Sequence, residues 1–469
     1  MPQVNTSDIQ AIYNEQLARL YYLVEYSPDD VLAYVLSGVD LSDINIIVAA
    51  DVESLPYLYY GSSLLPSGMV YFVQSLGIIV ISSTNTWLTL DGVLVRTDIE
   101  YDNIAWAWGD GGAGRLGNNT TVSKSSPVSV VGGFCDWCQV GAGGEHSLGL
   151  RQNSQIWSWG CNGSGRLGDN TTVNKSSPVS VVGGFCDWGQ ISGGGDHSLA
   201  TRQTGTAWAW GYNGFGQLGD NTTANKSSPV SVVGGYTDWC QISAGRNHSL
   251  AVRQNGTLWA WGGNQYGRLG DNTTVGRSSP VSVIGGFTDW CQASAGTTFS
   301  LAVRQNGTAW GWGRNNDGVV GDNTTAQKSS PVSVVGGFTD WCQISAGDYH
   351  SLAVRQNGTA WAWGRNSKGQ LGINQECSVS RSSPVSVVGG FTNWSQVCAG
   401  AYLSLGLRNG VSLLSWGNNI VGQLGDNTTT NRSSPVSVLG GINNWFQVST
   451  ANRNSSNAGC THTLGVTFG

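Results

Sequence analysis

Most of the chain is predicted to be an all-β protein, and three features of the sequence indicate this fold class. Glycine (68 of 469 residues) and tryptophan (21 residues) are both abundant, so glycine-rich turns separate short aromatic and β-branched runs. Charged residues make up only 11% of the chain, and together with the aromatic content this excludes a disordered polypeptide. The third feature is a long segment, exemplified by AWAWGYNGFGQLGDNTT (Ala207 to Thr223), that recurs downstream of residue 100.

Three sequence markers recur in step and define seven copies of this segment. The second tryptophan of each WxWG-type motif recurs every 51 residues, with 53 at the last step: Trp108, Trp159, Trp210, Trp261, Trp312, Trp363 and Trp416. The proline of each SSP triplet keeps the same phase: Pro127, Pro178, Pro229, Pro280, Pro331, Pro384 and Pro435. The tryptophan of each DW or NW pair is the third marker: Trp137, Trp188, Trp239, Trp290, Trp341, Trp394 and Trp445.

Each copy contains the signals of four short strands. In one copy, a short apolar run ends at Ala244, and the alternating run His248 to Val252 is followed by Asn255-Gly256, a two-residue hairpin signal. Leu258 to Gly262 is the next predicted strand, and Pro280 can begin an edge strand without breaking a hydrogen-bond ladder. Four strands in each of seven copies predict a seven-bladed β-propeller of roughly 51-residue repeats.

The segments GYNGFGQLG, SAGRNHSLAV and WAWG resemble the signature segments of the RCC1 family, the regulator of chromosome condensation repeats. The resemblance covers about residues 101–469 and implies the same seven-bladed propeller. The array begins at Ile104 to Gly109, midway through a blade, and ends with Phe446 to Thr450 and His462 to Val466, the strands that the first copy lacks. We therefore predict a propeller over residues 104–469 in which both chain ends build one blade, because a closed ring has no open sheet edges.

The residues before the repeats are predicted to form a small α+β domain. Residues 1–60 are predicted to be a helical anchoring or oligomerisation segment whose first helix carries one apolar stripe. The stripe consists of Ile9, Tyr13, Leu17, Leu20 and Val24. Packing of this stripe within its own domain is an equally open interpretation. Residues 61–103 are predicted to be a small β module with turns at Leu76-Gly77 and Thr84-Asn85, and this module resembles short β-modules of bacteriophage tail and fibre proteins.

The distribution of charge excludes some classes of partner. Residues 1–100 hold 12 acidic and 2 basic side chains (net −10), and residues 101–469 hold 17 acidic and 21 basic ones (net +4). Neither part contains a dense basic patch, so we expect no nucleic-acid binding. The apolar windows are too short to span a bilayer and no signal peptide opens the chain, so we expect no membrane insertion.

The side chains that suggest chemistry occupy recurring positions of the repeat. All five histidines (His146, His197, His248, His350 and His462) share one position, which Phe299 and Leu403 fill in the other two copies. A position that accepts Phe or Leu indicates packing, so we expect no catalytic or metal-binding histidine.

The cysteines of the CxxC spacing and the aspartates of the GDNTT loops are also interpreted as structural residues rather than as metal or redox sites. Cys135-Asp136-Trp137-Cys138 has CxxC spacing, but its neighbouring copies carry Thr or Gly there, which favours a small buried position over a metal or redox site. The GDNTT loops could supply calcium ligands, but a turn stabilised by Asx side chains is favoured because no further oxygen ligands follow. We therefore expect no catalytic residues, metal or cofactor.

The main functional hypothesis is a non-enzymatic virion component of a bacteriophage (tail, fibre or capsid appendage). It would be made in the host cytoplasm, dock on other virion proteins through residues 1–100 and form a homo-oligomer. Its propeller loops would contact a host surface protein or glycan, with Tyr212, Phe215 and Tyr266 as candidate contact residues. The alternatives are a cellular RCC1-like protein-interaction or regulatory module and a carbohydrate-binding propeller.

Overall fold

The computed structural model describes residues 103–375, 379–409, 412–451 and 461–468, and seven short strands between residues 47 and 97. It divides into two compact units, residues 1–100 and residues 101–469. The predicted apolar stripe (Ile9, Tyr13, Leu17, Leu20 and Val24) lies outside the described residues.

The first unit contains a five-stranded sheet of order β1-β4-β5-β6-β7 and a separate β2-β3 pair. The strands are β1 (Ile47–Ala49), β2 (Tyr59–Tyr60), β3 (Ser63–Leu64), β4 (Val70–Val73), β5 (Ile78–Ser83), β6 (Thr86–Thr89) and β7 (Leu94–Thr97). Strand β1 is parallel to β4, and the remaining pairs of the sheet are antiparallel. The sheet thus includes a strand that precedes residue 61, where we placed the start of the β module.

The second unit is a seven-bladed propeller of four-stranded antiparallel sheets, as the repeats predict. We number the blades from the sheet that begins at Trp137. The first strands, in blade order, are β10 (Trp137–Ala142), β14 (Trp188–Gly193), β18 (Trp239–Ala244), β22 (Trp290–Ala295), β26 (Trp341–Ala346), β30 (Trp394–Ala399) and β34 (Trp445–Thr450). The second strands are β11 (His146–Arg151), β15 (His197–Arg202), β19 (His248–Arg253), β23 (Phe299–Arg304), β27 (His350–Arg355), β31 (Leu403–Arg408) and β35 (His462–Thr467).

The two outer strands of each blade complete the sheets. The third strands are β12 (Ile156–Gly160), β16 (Ala207–Gly211), β20 (Leu258–Gly262), β24 (Ala309–Gly313), β28 (Ala360–Gly364), β32 (Ser412–Gly417) and β8 (Ile104–Gly109). The fourth strands are β13 (Lys175–Ser180), β17 (Lys226–Ser231), β21 (Arg277–Ser282), β25 (Lys328–Ser333), β29 (Arg381–Ser386), β33 (Arg432–Ser437) and β9 (Lys124–Ser129). A single 3-10 turn, Gly112–Gly114, lies between β8 and β9.

Blade 7 is assembled from both ends of the propeller, which confirms the closure prediction. Its strand order is β34-β35-β8-β9, and β35 pairs with β8 in continuous antiparallel register from His462 opposite Gly109 to Thr467 opposite Ile104. The C-terminal strands therefore take the place of the two strands that the first repeat lacks.

A ring of glutamine side chains, which the sequence analysis did not identify, joins the first strands of neighbouring blades. In each step the Oε1 atom accepts the main-chain N–H of the next blade, as Gln190 does from Ile242 at 2.9 Å. The bond crosses the closure point as well, because Gln447 accepts from Val140 at 2.9 Å and donates to the Val140 carbonyl at 3.0 Å. The seven glutamines are Gln139, Gln190, Gln241, Gln292, Gln343, Gln396 and Gln447.

The hydrophobic core lies between neighbouring blades, and the second tryptophan of each WxWG-type motif is among its largest side chains. Trp210 is fully buried, and its Nε1 donates to the Arg166 carbonyl of the preceding blade at 2.9 Å. The same carbonyl accepts a hydrogen bond from the Ser198 hydroxyl at 2.9 Å, so one main-chain oxygen binds two side chains of the next blade. Gly168 ends the segment Arg166-Leu167-Gly168 and has a φ of +68°. A Cβ there would lie 2.8 Å from Trp210 Nε1, so this position requires glycine.

The first tryptophan of each pair is less buried than the second. Trp208 is only partly buried, and its ring lies against Phe185 with ring centroids 4.8 Å apart. The Arg202 guanidinium covers the same Phe185 ring at 4.2 Å and pairs with Asp187 at 2.8 Å. The corresponding cluster occurs in blades 1 to 5, so the fixed spacing between the GGF or GGY segment and the WxWG motif in these blades is accounted for by this contact.

Candidate functional site

The two ends of the propeller differ in how much the seven copies vary. The antiparallel strand order brings the first–second strand turn and the third–fourth strand loop to one end, where Gly263 N–H donates to the Asn247 carbonyl at 2.7 Å. We call this end the variable face, because its turns read GGE, GGD, GRN, GTT, GDY and GAY in blades 1 to 6. The opposite end, which we call the constant face, repeats RQNGT in blades 3, 4 and 5 and GGFTDW before blades 4 and 5.

The histidines lie between blades and form hydrogen bonds rather than a reactive centre. His197 Nε2 lies 3.0 Å from Ser249 Oγ, and the Ser249 hydroxyl donates a hydrogen bond to the Gln217 carbonyl at 2.8 Å. The histidine must therefore donate from Nε2, which defines a neutral tautomer. Burial lowers the pKa of His197 to about 3, so the ring stays uncharged at neutral pH.

Acid is expected to destabilise the propeller through these histidines. Burial lowers the pKa of all five, to about 3 for His197 and His350, whereas an unfolded histidine titrates near 6.5. Between these values the unfolded chain binds more protons, so stability is complete above about pH 6.5 and falls below it, by up to ~1.4 kcal/mol per pH unit for each histidine.

Urea unfolding followed by tryptophan fluorescence between pH 7 and pH 5 measures this dependence. His197→Phe is the matched variant, because Phe299 fills the same position in blade 4 with full burial. We expect a shallower pH dependence for His197→Phe, and an identical slope would contradict the assignment.

The cysteine prediction was wrong in one respect. Cys240, Cys291 and Cys342 are exposed rather than buried, because their position on the first strand points away from the interblade core. The Cys240 thiol lies 3.4 Å from the Val252 carbonyl, and burial of part of the side chain raises its pKa. Burial raises the pKa of Cys138 to about 11, which opposes a reactive thiolate.

The GDNTT loops use their aspartates internally, as expected for an Asx turn. Asp220 Oδ1 accepts from Asn213 Nδ2 at 2.9 Å and from the Thr222 main chain at 3.0 Å. Lys226 Nζ lies 3.6 Å from the other carboxylate oxygen, and Asn221 adopts a left-handed φ of 61°. Within the described parts of the chain, no group of three or more His, Cys, Asp or Glu side chains could hold a metal ion.

The three candidate loop aromatics lie on the variable face, in the loops between the third and fourth strands of blades 2 and 3. Tyr212 and Phe215 form an edge-to-face pair with ring centroids 6.2 Å apart, and Phe215 is 46% exposed. The Tyr266 ring lies between two guanidinium groups, 5.4 Å from Arg268 and 5.6 Å from Arg314. The structure thus brings Tyr212 and Phe215 together, whereas Tyr266 contacts an arginine of its own loop and one of the next blade.

A groove of about 370 Å³ separates the loops of these two blades. Phe215 forms part of its wall, and Asn247, Gln265 and Arg268 contribute polar groups. Arg268 is the residue that sequence inspection missed, because Arg, Gln and Val occur at its position among the copies without an obvious pattern. The groove offers an aromatic surface beside a cationic group, and such an arrangement suits non-covalent binding of a ligand rather than catalysis.

Comparisons with known proteins agree with the fold. The model of the RCC1-like domain matches residues 100–335, and models of the RCC1 repeat match residues 341–370 and 357–407. The chain is similar to the Ultraviolet-B receptor UVR8 of Arabidopsis thaliana, at 29% identity over 60% of this chain and 64% of UVR8. It is also similar to the E3 ubiquitin-protein ligase HERC2 of Homo sapiens, at 30% identity over 60% of this chain and 6% of HERC2.

Among solved structures, the chain resembles yeast RCC1 (Prp20) in its complex with Kap60, with a TM-score of 0.69 and 20% identity. The match covers 78% of this chain and 89% of that one, and it shows a shared fold. The described residues contain no helix with the length and apolar character that a bilayer crossing requires.

Proposed function

The chain belongs to the RCC1-like family of β-propellers, and from this premise we propose that it is a non-enzymatic interaction module whose variable face binds a protein partner. This is the cellular alternative of the sequence analysis. The virion role has no support from the relatives named above, and the virion localisation stays a prediction.

The observation that carries the proposal is the contrast between the two faces. The strands, the GDNTT segments and most of the constant face recur, while two parts of the variable face differ from blade to blade in charge, size and aromatic content: the turns between the first and second strands, and the residues that follow each WG pair. Aromatic and arginine side chains, such as the exposed Phe215 and the partly exposed Arg314, are the types enriched at protein interfaces. Yeast RCC1 in complex with Kap60 shows that a propeller of this fold occurs in a protein complex.

Capture of a partner by the full-length chain tests the proposal. We expect a stoichiometric protein to be retained from extract of the source cells after mild cross-linking. Tyr212→Asn with Phe215→Ser removes the aromatic pair by introducing residues that blades 6 and 1 carry at these positions (Asn418 and Ser164). We expect this double variant to lose most of the captured protein.

The matched control lies on the constant face. Thr204→Asn introduces the residue that blade 3 carries at the same position, Asn255, and is expected to leave capture unchanged. Equal capture by the double variant, or cross-links that fall on residues 1–100 alone, would contradict a binding role for the variable face.

A further inference from the structure

Three arginines occupy the same buried position of the repeat in blades 7, 1 and 3. Arg115, Arg166 and Arg268 are 4%, 5% and 2% exposed, and each lies in the loop between the third and fourth strands. Their main-chain carbonyls have the same role, since each accepts the tryptophan Nε1 of the next blade at 2.8 to 3.0 Å. The three positions can therefore be compared directly within one chain.

In blades 7 and 1 the chain supplies carboxylates to these guanidinium groups. Arg115 pairs with Asp110 at 3.1 Å, and Arg166 pairs with Asp196 at 2.6 Å. Glu145 lies between them, 3.8 Å from Arg115 and 3.2 Å from Arg166. The buried cations at these two positions are thus compensated by the neighbouring turns.

At Arg268 the corresponding carboxylates are missing. The residue at the position of Glu145 is Asn247, and Thr298 stands at the position of Asp196. Arg268 Nη1 donates to the Thr297 carbonyl at 3.0 Å, and its buried Nε has no hydrogen-bond partner among the described residues. Arg166 Nε is in the same condition, so the two positions differ in their carboxylates. No ion pair with a described carboxylate joins Arg268, and burial, with a contribution from Arg246, lowers its pKa to about 10.

A buried guanidinium without a counter-charge is unfavourable unless a ligand provides one. Arg268 lines the groove between blades 2 and 3, so a group entering that groove can reach it. We propose that Arg268 binds the carboxylate side chain of an acidic segment in a partner protein, with an apolar residue of that segment resting on Phe215. This inference rests on the proposed function and names the chemistry that its variable face would recognise.

The ligand class follows from the other two blades. The same guanidinium position binds Asp and Glu side chains of the chain itself in blades 7 and 1, so its surroundings suit a carboxylate from a neighbouring loop. A groove of about 370 Å³ accommodates a few side chains rather than a folded domain. Arg246 acts electrostatically on Arg268, and Arg314 lies 5.6 Å from the Tyr266 ring that Arg268 also contacts. This positive charge near Arg268 favours an acidic segment over a basic one.

Peptide titration of the full-length protein tests the assignment. The probe is an acetylated and amidated peptide, Gly-Glu-Phe-Glu-Gly, and its partner is Gly-Gln-Phe-Gln-Gly. Arginine Nε–H resonances of protein labelled with 15N-arginine report the contact, and the signal absent from Arg268→Gln identifies Arg268. We expect a saturable shift of that signal with the acidic peptide and none with the glutamine peptide.

Two variants, with a third as the control, distinguish loss of charge recognition at Arg268 from a general effect on the fold. Arg268→Gln should fold normally, because Gln217, Gln370 and Gln423 occupy this position in blades 2, 5 and 6, and it should weaken peptide binding by roughly 30-fold or more. Asn247→Glu with Thr298→Asp restores the carboxylates of the other blades, so it should raise the Tm and abolish peptide binding. Gln254→Glu, which adds negative charge on the constant face, should bind the peptide as the unmodified protein does.

The proposal fails if the acidic peptide does not bind, or if its binding survives both Arg268→Gln and the double variant. Binding of inorganic phosphate through Arg268 without binding of the acidic peptide would also overturn it, because the site would then select a different anion. If the captured partner is retained equally by Arg268→Gln, the interaction role of the propeller stands and the Arg268 assignment falls.

Discussion

Removal of residues 460–469 is expected to open the propeller ring and to leave no cooperative thermal transition at the temperature of the intact protein. The deletion removes β35, the strand that joins β34 to β8 within blade 7. It also removes the fully buried Leu464 and Val466, and the loss of two such side chains alone costs on the order of 4–8 kcal/mol. Because whole domains are stable by only about 5–15 kcal/mol, we expect most of that stability to disappear. Differential scanning calorimetry of the truncated and intact chains measures the effect.

A peptide added in trans distinguishes ring opening from a general loss of sequence. A synthetic peptide of residues 460–469 can add its strand between β34 and β8, since strand addition supplies the missing main-chain hydrogen bonds. We expect it to raise the Tm of the truncated chain in a concentration-dependent way. The same peptide with Leu464 and Val466 replaced by Ser is the control and should have little effect. An unchanged Tm on truncation would show that β35 contributes little to closure.

The fold was largely predictable because the repeat supplies its own alignment. Three markers in seven copies predicted the number of blades. The phase of the first and last copies predicted the closure, in which the strand that begins at His462 pairs with the strand that begins at Ile104. The Gln190-type ring was not predictable, because glutamine has no strong preference for either a strand or an interblade bond. The side-chain bonds depend on the distance between neighbouring first strands, which local sequence does not encode.

The candidate site was predictable only in part. Loop aromatics such as Tyr212 and Phe215 can be recognised in the sequence, and the structure places both on the variable face. Arg268 did not stand out, because its distinguishing feature is the absence of acids at positions 21 residues before and 30 residues after it, Asn247 and Thr298. Only the three-dimensional ion pairs of Arg166 show that those positions matter. The exposed cysteines were mispredicted because small residues in a strand do not reveal which face they occupy.

Substitution of the two tryptophans of one WxWG motif is expected to have unequal effects on stability. Trp210→Ala removes a fully buried ring from the space between blades 1 and 2 and should cost about 3–5 kcal/mol. Trp208→Ala, two residues away on the same strand, removes a partly exposed ring that lies over Phe185 and should cost about 1–2 kcal/mol. Chemical unfolding of both variants gives the free energies directly, and equal losses would contradict the assignment of the core to the second tryptophan.

Trp210→Phe separates the ring from its hydrogen bond. Phenylalanine keeps most of the buried aromatic surface but cannot donate to the Arg166 carbonyl, which accepts Trp210 Nε1 at 2.9 Å. That oxygen retains the Ser198 hydroxyl at 2.9 Å, so it does not become an unpaired buried acceptor. We therefore expect Trp210→Phe to lose less than half of the stability that Trp210→Ala loses. A combined Trp210→Phe and Ser198→Ala variant leaves the carbonyl without either side-chain donor, and its loss should exceed the sum of the two single losses, because each donor compensates for the absence of the other.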